Sequence, residues 1–173
     1  MRGLWTFYSD EVGSTTGSKV NYAYAVSGET LYRIDTEWNY TAIGTIAGTS
    51  QVNMTDNGRQ MFIAAGANGY IYNSTYYRTT FNTTNTSTLV TNGDTTYVYV
   101  TTPCEGAVGC GFLDGWFVFN QPNSQNFWVM DSTGTTIDPL YFAAAEGSPD
   151  NLVTLIVDHR EIWLFGTNSV EVW

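Results

Sequence analysis

Positive charge is scarce in this sequence: six Lys and Arg stand against 16 Asp and Glu, a formal net charge of -10 over 173 residues. A surface of that sign repels phosphate instead of releasing counterions from it, so tight direct nucleic-acid binding through a basic face is not expected. Histidine occurs once, at His159, which leaves no second imidazole for a zinc site. Only two cysteines are present, and the Cys104-Glu-Gly-Ala-Val-Gly-Cys110 spacing matches no zinc signature. With nothing else pointing to an oxidising compartment, free thiols are favoured over a disulfide closing that short loop.

Long hydrophobic runs are missing as well. No stretch approaches the length of a membrane span, and Met1 to Trp5 is not followed by the apolar core of a secretory signal. The chain therefore reads as soluble, with no export address and no membrane partner. No Gly-x-x-x-x-Gly-Lys-Ser/Thr loop occurs, and Gly106, Gly109 and Gly111 do not make a dinucleotide fingerprint, so no nucleotide cofactor is expected. The stretch from Asp131 to Asp138 lacks the alternating oxygen ligands of a calcium loop, and no metal is expected either. Sequons at Asn39, Asn53, Asn73, Asn82 and Asn85 are what chance gives in an Asn- and Thr-rich chain.

What is present suits strands. Apolar residues make up 43% and aromatics 16%, enough for one buried core, and aromatic side chains pack well on a pleated surface. Val20, Tyr22, Tyr24 and Val26 share one face of an extended segment, with Asn21, Ala23, Ala25 and Ser27 on the other. Ser27-Gly28-Glu29 then turns the chain into a second strand over Leu31 to Asp35. The same strand, turn, strand, turn, strand order is expected over residues 52–72, 110–131 and 153–173, with turns at Asp56, Asp114 and Asp158. The pivots Ser27, Asp56, Asp114 and Asp158 are separated by about 44 residues on average, the length of a propeller blade. Residues 74–108, with the low-complexity run Asn82 to Thr88, read as a polar insertion between repeats. The single local helix candidate is Ala143 to Glu146, curtailed by Gly147 and Pro149. The fold class is all-β: repeated antiparallel blades, an incomplete propeller in one region over residues 1–173. The apolar Val170, Val172 alternation running up to Trp173 is read as a strand belonging to a longer chain.

Three ordered blocks carry a resemblance: Phe112-Leu-Asp-Gly-Trp-Phe-Val-Phe-Asn120, Ala145-Glu-Gly-Ser-Pro-Asp150 and Asp158-His-Arg-Glu-Ile-Trp-Leu-Phe-Gly166, with residues 44–72 as the preceding unit. The chain resembles the packaged DNA stabilisation proteins of short-tailed bacteriophages. That resemblance implies a propeller-rich, non-enzymatic virion protein. It implies a place in the tail hub below the portal, assembly in the host cytoplasm into a ring of copies with other tail and portal-adaptor proteins, and a part in retaining the packaged genome.

No catalytic, cofactor-binding or metal residue is assigned. Asp158-His159-Arg160-Glu161 invites a proton-transfer role, but neighbouring residues of a strand or turn point in different directions, and a turn is favoured. Glu146 and Asp150 have the residue types of a glycosidase pair, yet Glu-Gly-Ser-Pro-Asp more simply makes a loop, with Asp150 bonding its own backbone. Asp56-Asn57-Gly58 comes close to the turn of sialidase-like propellers, with Met54 where Ser or Thr would stand. Exposed Trp and Tyr stacking on sugars give a carbohydrate-binding propeller, a lectin or adhesin, as the second reading. Most aromatics, Trp116 and Trp163 included, are expected in the packed core.

Overall fold

The computed structural model describes residues 1–10, 19–72, 76–81, 86–91, 100–101, 104–131, 137–138 and 140–173. Those residues form seventeen strands and no helix. The first sheet holds β1 (Gly3–Asp10), β2 (Lys19–Ser27), β3 (Thr30–Ile34) and β4 (Tyr40–Thr45) in chain order. The second holds β5 (Asn53–Asp56), β6 (Met61–Ala64), β7 (Gly69–Tyr72), β8 (Tyr76–Phe81), β9 (Thr86–Thr91) and β10 (Val100–Thr101). Strands β11 (Cys110–Leu113), β12 (Trp116–Asn120), β13 (Asn126–Asp131) and β14 (Phe142–Ala144) make the third. The fourth is β15 (Leu152–Asp158), β16 (Glu161–Gly166) and β17 (Val170–Val172). All the pairings are antiparallel between neighbours in the chain, the meander that short turns favour.

Four sheets stack through three seams, so that each buries a face against the next, as blades do. The period of two sends alternate residues of one strand into different seams. In β6, Met61 and Ile63 join Phe7, Tyr24, Val26 and Leu31 of the first sheet. Phe62 and Ala64 point the other way and meet Phe117, Phe119, Trp128 and Met130 of the third. In β12, Phe117 and Phe119 belong to that second seam, while Val118 joins Leu152, Leu155 and Leu164 in the third seam. This explains why Met-Phe-Ile-Ala and Phe-Val-Phe are unbroken apolar runs: both faces of these strands are buried.

The leading strands β1, β5, β11 and β15 lie next to one another. Their approach is close enough that a Cβ on Gly3 would stand 2.6 Å from the Val52 carbonyl oxygen, and one on Gly109 2.6 Å from Thr154 Oγ1. Beside this contact Arg2 clamps the entry to the first seam. Its Nε donates to Ser50 O at 2.7 Å, and Nη1 donates to Gly28 O and Ile46 O at 2.8 and 2.9 Å.

The structure places the three expected units at β5–β7, β11–β13 and β15–β17, each with its aspartate at the first turn. It differs elsewhere. Ser27 is not equivalent to Asp56, Asp114 and Asp158, because the Gly28 turn joins the second and third strands of its sheet and theirs join the first and second. The missing element is β1, whose Trp5 and Phe7 pack in the first seam. Ala143 and Ala144 are strand rather than helix. β13 offers them a free ladder edge, with Phe127 opposite Ala143, and tertiary pairing overrides alanine's helical preference. The end of the low-complexity run, from Thr86, is strand β9, and β8, β9 and β10 continue the second sheet outward, while residues 104–108 form the approach to β11. Of the Tyr97-Val-Tyr-Val100 run, Val100 begins β10 and residues 97–99 lie outside the described residues.

Trp163 also departs from expectation. It is 38% exposed, on the outward face of the fourth sheet with Ile156 and Val172 in one cross-strand row, while Leu164 fills the seam. Trp116 is half-buried and meets Tyr141 edge-on at 5.5 Å. A cavity-sized loss is therefore not expected at Trp163. Trp163→Ala should lower stability by about 1 kcal/mol or less, read as the midpoint of denaturant unfolding.

Candidate functional site

At one end of the leading strands the molecule is concave. Loops that deliver the chain into β5 and β11 meet the start of β15 and two turns between second and third strands, at Gly66-Ala67 and Gln121-Pro122-Asn123. Together they enclose a cavity of about 870 Å³, within the range of roughly 300–1,000 Å³ usual for ligand sites. Its polar side chains are Ser50, Gln51, Asn53, Glu105, Gln121, Asn123 and Thr154, so the lining offers amides, hydroxyls and one carboxylate.

The rim is held by backbone. Gly66 N donates to Ala107 O at 2.7 Å and Ala107 N returns a bond to Gly66 O at 2.8 Å, joining the second sheet to the approach to β11. Gly106 makes this possible at φ 115, with the Gly66 carbonyl where a Cβ would sit. Asn53 Nδ2 donates to Val108 O at 2.8 Å, and Trp128 Nε1 donates to Gln121 Oε1 at 3.0 Å. Beneath them the fully buried Asn120 accepts from Gly109 N at 2.8 Å through Oδ1, so a polar side chain in the core is paired.

The residues weighed from sequence do not gather here. Asp158 and His159 form an ion-pair contact of 2.8 Å with His159 88% exposed, on a two-residue turn where His159 and Arg160 have φ 49 and 67. Arg160 reaches Asp114 of the neighbouring turn at 3.4 Å. The first lies within one turn and the second joins two adjacent turns, both in solvent and each worth little. Asp150 does not bond its own backbone. Its carboxylate accepts from the Ser169 hydroxyl at 2.7 Å, from Asn168 N and from the Thr167 hydroxyl at 3.2 Å, pinning the turn between β16 and β17. Ser169 and then Asn168 hold its carboxyl below the ordinary range, opposite to what a general acid needs. Asp56 accepts from Trp5 Nε1 and Gly58 N, both at 2.8 Å, a structural turn. Residues 132–136 of the stretch considered for calcium lie outside the described residues. Trp38 is 84% exposed, away from the cavity, and most described aromatics are packed in the seams.

Both cysteines are free. Cys104 is buried and its thiol donates to Gly106 O at 3.1 Å; Cys110 packs against the second seam. Burial pushes each thiol up to about 12 from an ordinary value near 9. Below pH 9 the thiols are protonated in both states; above it the unfolded chain ionises first, so stability falls as pH rises from 9 towards 12. Since the thiolate is the nucleophile, alkylation by iodoacetamide at pH 8 should be at least about tenfold slower in the native protein than after unfolding in urea. Equal rates would show that the thiols are not sequestered.

A family model described as "Bacteriophage P22 Gp10, beta-propeller" matches residues 5–173. No curated protein matches the sequence. Among solved structures the chain is similar to the Cps50 (Swd1) beta-propeller domain of Myceliophteria thermophila, at 10% identity and a TM-score of 0.44, over 87% of this chain and 61% of that one. It is also similar to two computationally designed proteins: Ika8, at 9% identity and 0.42, over 91% of this chain and 59% of that one, and Ika4, at 9% and 0.40, over 73% and 92%. The chain thus spans about three-fifths of the Cps50 and Ika8 structures.

Proposed function

Because the chain belongs to the phage stabilisation family of bacteriophage P22 Gp10, we propose that it forms part of the tail hub of a short-tailed phage and helps keep packaged DNA in the particle. The family is one of structural phage proteins, not a known enzyme family, which supports a place in the virion. In this reading copies of the protein stand in a ring below the portal, among other tail and portal-adaptor proteins. The observation that carries it is the family match over residues 5–173.

Charge supports the manner of action. A protein with net charge -10 does not grip DNA; an acidic wall around the exit channel keeps the duplex from sticking while a neighbouring factor closes the path. Particles assembled without the full-length protein should package genomes and then leak them, measured as nuclease-sensitive DNA after packaging. Normal retention in its absence would overturn the role. The isolated chain should show no salt-sensitive duplex binding, and tight binding that weakens with salt would overturn the charge argument.

A further inference from the structure

We propose that the cavity at the head of the leading strands receives a polypeptide segment of another protein that carries a lysine or arginine. Four carboxamides, Gln51, Asn53, Gln121 and Asn123, face one space. Each carboxamide both donates and accepts, as a peptide group does. Among the described residues the side chains of Gln51, Asn123 and Glu105 have no partner elsewhere in the chain, so they are available to a guest.

The lining also says what the guest is not. No cation is present among the described lining residues, so a phosphate, a carboxylate or a nucleic-acid backbone finds nothing to neutralise it. Nor is there an aromatic ring among the described lining residues, in a chain where rings are plentiful, so they offer no platform on which a sugar stacks. Glu105 is the only charged side chain among the described lining residues, and it selects a basic residue in the segment. The rim is pre-formed by the Gly66–Ala107 bridge, and a segment docking there does not have to order it. The proposal rests on the hub reading only for the source of the segment, a neighbouring virion protein.

The test uses the 15N-labelled chain titrated with acetyl-Gly-Ser-Lys-Ser-Gly-amide and with the same peptide carrying norleucine or glutamate in place of lysine. The lysine peptide should shift the backbone amides of residues 51, 53, 66–67, 105 and 123. It should bind roughly two- to fivefold more tightly than the norleucine peptide, the scale of an exposed ion pair, and more tightly still than the glutamate peptide. Glu105→Gln should abolish the lysine preference and leave norleucine binding unchanged. Equal binding of the lysine and glutamate peptides by the unchanged chain would overturn the proposal, as would shifts mapping elsewhere. So would chitotriose or maltotriose moving these amides where the peptides do not. Genome retention is scored on particles, so a failure here leaves the hub role to stand or fall on its own test.

Discussion

Replacing Phe62 by alanine is expected to lower the unfolding free energy by about 3–5 kcal/mol. Phe62 is fully buried in β6 and faces the third sheet, with its ring stacked 5.1 Å from Phe119 and 5.6 Å from Phe117. Truncation removes the ring from both contacts at once. The seam cannot close over the gap, because sheets meet through side chains whose backbones are fixed by ladders on both sides. A loss of that size is a large part of a typical domain's total stability, so denaturant unfolding reads it directly. Phe62→Leu, which keeps most of the volume, should recover more than half of the loss. A change of less than about 1 kcal/mol for alanine would mean that the second and third sheets do not stack in solution.

The same seam shows what sequence can and cannot say. The alternation of Val20 to Val26 and the double-sided run Trp116 to Phe119 are visible in one dimension, since period two and continuous apolarity report burial on one face or two. Strand β1 carries its own alternation of Trp5 and Phe7 with Thr6, but its partner β2 starts at Lys19, too far along the chain for any two-residue turn to announce the pairing. Alanines 143 and 144 lean towards helix until β13 supplies hydrogen bonds that only a strand can use. Trp163 fails differently: alternation puts it opposite Leu164, yet which face is covered depends on the neighbouring sheet, and the third sheet lies on the Leu164 side.

The cavity was not legible at all. Its polar groups come from connections and strand starts spread between Ser50 and Thr154, and most are polar for the ordinary reason that loops face water. The nearest thing to a signal is that Gln51 and Glu105 both lie in the segments that lead into first strands, two residues before β5 and five before β11. Recognising that requires knowing which strands lead, and the sheet order decides it. Asp56, Asp114 and Asp158 show the converse. They stand at equivalent first turns as the repeat implied, and their work is structural: Asp56 holds Gly58 N and Trp5 Nε1, and Asp114 and Asp158 meet Arg160 and His159.

Gly109→Ala is expected to cost about 2–6 kcal/mol, although it adds a single methyl group. The added Cβ would lie 2.6 Å from Thr154 Oγ1, 2.8 Å from Leu155 N and 2.9 Å from Asn120 Oδ1, and the second of these is backbone of β15. Overpacking of this kind costs roughly 1–3 kcal/mol. Moving Asn120 to relieve it breaks the 2.8 Å bond from Gly109 N inside the core, where an unmade hydrogen bond costs about 1–3 kcal/mol more. Gly115 is the control. It sits at φ 95 in the Asp114-Gly115 turn with nothing within 4 Å of a Cβ, so it is restricted by conformation and not by space. Asparagine tolerates positive φ. Gly115→Asn should therefore cost about 1 kcal/mol or less, whereas Gly109→Asn should be at least as damaging as alanine. Gly111→Ala presses on the Val157 side chain instead of on backbone, so adding Val157→Ala should recover part of its loss. Thermal or denaturant unfolding of the five variants distinguishes the cases, and a Gly109→Ala protein as stable as the parent would show that the leading strands do not pack this closely in solution.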